Sequence, residues 1–178
     1  MEFRHYTEHD TQTVVSLFTS VFAKSEGEAE GTLIGQLVRD LIEKTDVHDL
    51  YGFVAVDDGQ IVGSIFFSRL AFDSGIEAFI LAPVAVHSDR QGRGIAQTLI
   101  NHGLGQLKDR GVSVALTYGD PGFYHRVGFR PISHETIKPP YELSQPEGWL
   151  GQSLSGDSIE TLSGACTCVE AFCNPVYW

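Results

Sequence analysis

Residues 81–96 read Leu-Ala-Pro-Val-Ala-Val-His-Ser-Asp-Arg-Gln-Gly-Arg-Gly-Ile-Ala, and a helical pattern runs directly on from them to Arg110. Phe79 to Val86 is apolar without alternation and rich in branched and aromatic side chains, which predicts a central strand buried on both faces. Pro83 has no N–H to give to a ladder, so its place inside the run predicts a bulge that frees backbone groups there. The strand empties into Gln91-Gly92-Arg93-Gly94-Ile95-Ala96. Glycines let that backbone crowd a ligand, and successive N–H groups can converge on an anion. The helix beginning at the same place adds its own unpaired N–H groups and the positive end of its dipole. The turn is therefore a candidate phosphate cradle that needs no lysine.

A second block, Gly119-Asp120-Pro121-Gly122-Phe123-Tyr124-His125-Arg126-Val127-Gly128-Phe129, follows after one helix and one strand. Gln-x-x-Gly-x-Ala alone is weak evidence. Here it follows a buried strand, opens a helix and is succeeded at this distance by Phe-Tyr-x-Arg-x-Gly-Phe. In that context residues 50–132 resemble the acyl-CoA-binding core of the GNAT superfamily of N-acetyltransferases. The resemblance implies an α/β chain with the acyl-CoA N-acyltransferase fold, a central mixed, twisted sheet flanked by helices. It implies acetyl-CoA as co-substrate, no metal, and a primary amine of a small molecule or protein that attacks the thioester directly. In the family the strand backbone, here Val84, Ala85 and Val86, hydrogen-bonds the pantetheine arm. The turn and helix start, here Gln91, Gly92, Arg93, Gly94, Ile95 and Ala96, hold the pyrophosphate, and two parallel strands splay to admit the thioester.

Such a transfer needs a neutral amine, a donor for the tetrahedral oxyanion and a proton for the departing thiolate. A backbone N–H near Val84 is the natural oxyanion donor. Tyr124 matches the family's Tyr beside the sulfur and is the candidate general acid, since a phenol of pKa about 10 can donate to a thiolate whose acid has a pKa of about 8.5. Its neighbours Phe123 and Phe129 also suit a core position. Some family members carry a base, Glu, on the strand, but Ile80 stands at the matching position. Glu77 is the nearest carboxylate and the candidate base, with water, Asp120 and His125 open beside it. His87 and His125 read equally as structural or solvated side chains.

Rival fingerprints are absent. A P-loop needs Gly-Lys-Ser/Thr after its glycines, a dinucleotide fold needs Gly where Gln97 stands, and no Gly-x-Ser-x-Gly elbow occurs. The alternative from another class is a non-catalytic acyl-CoA-binding or sensing module. The missing Glu favours it and Tyr124 speaks against it.

The 178 residues suit one domain, with a core over 1–132 and an extension over 133–178 that completes the sheet or cleft. A net charge of −11 argues against nucleic acid, where phosphate contacts dominate affinity. Arg90 and Arg93 beside the first block, and Arg126 and Arg130 beside the second, are the local exceptions. No long apolar run or leader pattern occurs, so no membrane partner is expected and the cytoplasm is the expected compartment. Cys166, Cys168 and Cys173 have poor spacing for zinc and read first as packing residues, with a disulfide or redox role as the alternative.

Glu2 to Tyr6 reads as a strand, followed by a helix from Asp10 with an apolar stripe of Val14, Leu17, Phe18, Val21 and Phe22. The acidic stretch Glu26 to Gly31 reads as a loop before a second stripe of Leu33, Leu37, Val38, Leu41 and Ile42. The resemblance implies that these helices wall the acceptor pocket around Ala23 to Thr32; the plain alternative is an exposed, solvated loop. Asp57-Asp58-Gly59-Gln60 predicts a hairpin between strands 51–56 and 61–70. Val112 to Tyr118 predicts a strand parallel to the one quoted first, through a right-handed βαβ unit. Thr167 to Phe172 reads as a last strand. The aromatic terminus Tyr177-Trp178 reads as docked, on its own domain or on a homodimer partner.

Overall fold

Thirteen elements frame the functional region, and the computed structural model describes them over residues 1–159 and 164–178. In order they are β1 (Glu2–His5), α1 (Thr11–Glu26), α2 (Glu28–Lys44), β2 (Leu50–Asp57), β3 (Gln60–Phe72), β4 (Ala78–Val86) and α3 (Ile95–Asp109). There follow β5 (Val114–Tyr118), α4 (Pro121–Tyr124), β6 (Arg130–Pro131), β7 (Ile137–Lys138), β8 (Trp149–Ser153) and β9 (Gly164–Cys168). The sheet is mixed, with β4 and β5 parallel and β1–β2, β3–β9 and β5–β8 antiparallel. No helix among the described residues is long and apolar enough to cross a membrane. The chain divides into two units, one of residues 1–67 and 83–103, the other of residues 68–82 and 104–178.

In the first unit the strand order is β1-β2-β3-β4. The β2–β3 turn has Asp58 and Gly59 at φ 50° and 75°, the two left-handed residues that an Asp-Gly hairpin supplies. Strand alternation sorts the side chains of β3. Phe66 meets Tyr6 and Phe18, with ring centroids at 5.6 and 6.1 Å, whereas a Cβ on Gly103 of α3 would meet Phe67 at 2.7 Å and Ile65 at 3.3 Å. One face of β3 thus covers α1 and the other α3. Arg4 of β1 grips Asp10 at 2.8 and 3.0 Å, Thr7 N–H adds a bond at 2.8 Å, and the Asp10 carboxyl is held down at about 2.

The expected loop from Glu26 to Gly31 is instead helical. Only Gly27, at φ 104°, separates α1 from α2, and Glu28 and Glu30 sit in the first turn of α2, where its dipole favours them. Gly31, expected in that loop, and Gly35, within the expected helix, both serve close approach here. A Cβ on Gly31 would lie 2.5 Å from the Thr19 carbonyl oxygen and 2.6 Å from Ala23 Cβ, and one on Gly35 would strike Thr19 Oγ1.

In the second unit β5 is central. It pairs with β4 from Ala78↔Val114 to Leu81↔Thr117, and with β8 from Val114↔Ser153 to Tyr118↔Trp149. β6 follows β8, while β9 pairs with the end of β3 and with β7. The last strand is β9, and the expected 167–172 strand turns at its midpoint into a 3-10 turn, Glu170–Phe172. Strand β8 has no apolar alternation, Trp149-Leu-Gly-Gln-Ser, and escaped the sequence reading. The terminus docks within its own unit. Trp178 is 6% exposed, stacks on Tyr118 and Tyr141, and donates its indole N–H to the Phe172 carbonyl at 3.0 Å.

The α1–α2 contact sets two effects against each other. Alanine is a better helix former than glycine by about 1 kcal/mol, whereas overpacking against backbone costs about 1–3 kcal/mol. Gly31→Ala should therefore lower the urea midpoint; a higher midpoint would show that the helices separate freely.

Candidate functional site

The stretch from β4 to α3 is fixed at both ends before any ligand arrives. His87 N–H donates to the Val62 carbonyl at 2.8 Å, holding the end of β4 against β3. Gln91 Nε2 donates to the Val86 carbonyl at 3.0 Å, folding the turn back on the strand. Arg90 Nη1 lies 2.7 Å from Asp57 Oδ2, which pins the turn to the β2–β3 hairpin. The Arg90 guanidinium is thereby engaged in structure, as is that of Arg130, which donates to the carbonyls of His125 and Phe129 at 3.1 and 2.8 Å. Arg93 and Arg126 are exposed.

Gly92 and Gly94 have φ of 73° and 76°, and a Cβ on either would meet nothing within 4 Å. Their glycines answer to backbone conformation rather than to crowding by protein. Gly94 O accepts from Thr98 N–H at 3.0 Å, the first bond of α3, and again from the Thr98 hydroxyl at 3.0 Å. The N–H groups of Ile95, Ala96 and Gln97 precede that bond and have no acceptor among the described residues. Ile95, Leu99 and Ile100 are buried, which fixes the direction in which the helix start points. Gln91 to Gly94 are exposed. An exposed glycine turn at a helix N-terminus offers amide donors to an anion.

Strand β4 runs unbroken through Pro83 to Val86. The ladder with β5 ends at Leu81↔Thr117, so residues 84–86 lie beyond it and Pro83 removes no bond from it. Val84 is half-buried, Ala85 and Val86 buried.

In the second unit Asp120 Oδ1 caps α4 by accepting from Gly122 N–H at 2.9 Å, and Pro121 takes the first helical position. The cap turns Tyr124 inward. Its ring meets Phe123 and Phe129 edge-on at 5.0 and 5.7 Å, and lies so close to Gly119 that a Cβ there would be 2.7 Å from it. Thr117 is fully buried and donates to the Leu81 carbonyl at 2.8 Å. Burial of the phenol pushes its pKa up to about 12, and the charge of Asp120 adds to it. The phenol of Tyr124 thus keeps its proton at every physiological pH.

Glu77 immediately precedes β4. Its carboxylate lies 2.5 Å from Arg69 Nη1, and the Arg69 guanidinium carbon sits 4.8 Å from the centre of the Phe79 ring. To accept a proton, Glu77 must give up that ion pair. Among the described residues no group of three or more His, Cys, Asp or Glu side chains could hold a metal ion. Thr117, Asp57 and the Gln91–Val86 bond were not foreseen from sequence. Asp57 lies within the hairpin signal, but nothing local pairs it with Arg90.

A family model described as the acetyltransferase (GNAT) domain matches residues 2–132. The uncharacterized N-acetyltransferase YjhQ of Escherichia coli K12 is 29% identical over 96% of both chains. The uncharacterized N-acetyltransferase YhbS of the same strain is 35% identical over 58% of this chain and 62% of its own length. The crystal structure of E. coli YhbS in complex with CoA superposes with a TM-score of 0.84 at 27% identity, covering 96% of this chain and 91% of that one. A GNAT family acetyltransferase from Brucella melitensis in complex with acetyl-CoA gives a TM-score of 0.75 at 25% identity, over 96% and 97%.

Proposed function

Because the chain belongs to the GNAT family of acetyltransferases, we propose that it transfers an acetyl group from acetyl-CoA to a primary amine of a small molecule or protein. The observation that carries this is the exposed glycine turn leading into unpaired amides at the start of α3. Two relatives of this fold with CoA and acetyl-CoA in their crystals support the same donor.

In this reading the amides of Gly92 to Ala96 hold the diphosphate, with Gln91 orienting the turn and Arg93 adding charge at its exposed side. The backbone of Val84, Ala85 and Val86 pairs with the pantetheine arm as an added strand would, and an N–H near Val84 stabilises the oxyanion. The amine attacks as the neutral base; the carbon–nitrogen bond forms and the carbon–sulfur bond breaks. Tyr124 is the general acid, donating to the sulfur as negative charge gathers there. A phenol at about 12 faces a thiol near 8.5, so most of its contribution is a strengthening hydrogen bond rather than early transfer. The proton shed by nitrogen, through Glu77 after release from Arg69 or through water, balances the one gained by sulfur.

Gly94→Asp should weaken CoA binding at least about tenfold by setting a carboxylate against the diphosphate; calorimetric affinity within about twofold of wild type would reject the cradle. Thiol release from acetyl-CoA should be followed with a panel of amines. In that assay Tyr124→Phe should lower kcat by about tenfold to a hundredfold while CoA affinity holds. An unchanged kcat at every pH would remove Tyr124 from the chemistry, and silence toward every amine despite tight CoA binding would favour an acyl-CoA sensor.

A further inference from the structure

The transfer chemistry makes no use of the chain's cysteines, and two of them have their sulfurs in direct contact. Cys168 closes β9, where its backbone is held opposite Leu70 of β3. Cys173 follows the 3-10 turn Glu170–Phe172 and is fixed by its N–H, which donates to the Glu170 carbonyl at 2.9 Å. The two sulfurs lie 3.7 Å apart, Cys173 exposed and Cys168 half-buried, while Cys166 is buried and directs its thiol to the Lys138 carbonyl. Cys173 Sγ also approaches the carbonyls of Cys168 and Val169 at 3.7 and 3.5 Å, so its side chain already points back over the end of β9.

We propose that Cys168 and Cys173 are a reversible modification site that closes to an intramolecular disulfide on reaction with a low-molecular-weight disulfide. Two thiols without further metal-ligating neighbours among the described residues suit this chemistry better than a soft metal ion, which needs more donors. The exposed Cys173 thiolate attacks the small disulfide, forming a mixed disulfide and expelling one small thiol. Cys168 then loses its proton to water and attacks the Cys173 sulfur, expelling the second small thiol. Two protein thiols are oxidised and one small disulfide is reduced to two thiols, so the electrons balance. The sulfurs start 3.7 Å apart, so the bond forms between groups already in contact. Burial raises the Cys168 thiol, which keeps its thiolate scarce and slows the second step. With only four residues between the pair the bond adds little global stability. Its effect is local: it fixes the end of β9 to the segment whose Phe172 carbonyl anchors Trp178.

The test treats the full chain with glutathione disulfide and follows its intact mass. A glutathione adduct of about 305 Da should appear first and give way to a net loss of about 2 Da, reversed by dithiothreitol. Cleavage after Glu170, which lies between the two cysteines, should leave their peptides joined. Cys173→Ser should abolish the loss. An unchanged mass, an adduct that never resolves, a linkage through Cys166, or a loss that persists in Cys173→Ser would each overturn the proposal.

Discussion

A peptide N–H that no carbonyl reaches must find another acceptor, and α3 begins with three, at Ile95, Ala96 and Gln97, that have none among the described residues. The surrounding structure keeps those donors bare and pointed. Buried Ile95, Leu99 and Ile100 hold the helix, positive φ at Gly92 and Gly94 turns the chain away from self-capping, and Gln91 and Arg90 tie the turn to Val86 and Asp57. Because the donors are ordered in advance, an anion that binds them pays little for organising the protein. The arrangement also suits a chain of net charge −11. Amide dipoles act within a turn of the helix end and keep their sign locally, whereas the distant acids are screened by salt.

The second unit applies the same economy to a proton. Thr117 gives its own hydrogen to Leu81, Asp120 caps the short helix, and Gly119 lets the Tyr124 ring lie flat against the backbone. Each contact is modest. Together they bury a phenol so that it stays protonated, which a donor to a developing anion requires and a base could not tolerate.

Much of this was legible in the sequence where one local signal had one physical cause. Asp58-Gly59 demanded a hairpin, and Phe79 to Val86 a buried strand. Errors arose where a residue served distant partners. Gly31 read as loop because local propensity cannot see Thr19 across the helix pair. Strand β8 was invisible because Trp149-Leu-Gly-Gln-Ser offers neither alternation nor an apolar run, and no local signal pairs Arg90 with Asp57, thirty-three residues away. The cysteines show the same limit: Cys168 and Cys173 gave no spacing signal, and only the turn at Glu170 to Phe172 brings their sulfurs together.

The most direct measurement follows the backbone amide resonances of residues 92–97 while the protein is titrated with CoA and, separately, with pantetheine, which has the arm but no phosphate. With CoA, the resonances of Gly92 to Gln97 should shift together and their hydrogens become protected from exchange; with pantetheine they should stay in place. Amides that remain unmoved and exchanging at saturating CoA, or that respond equally to pantetheine, would contradict a diphosphate held by the start of α3.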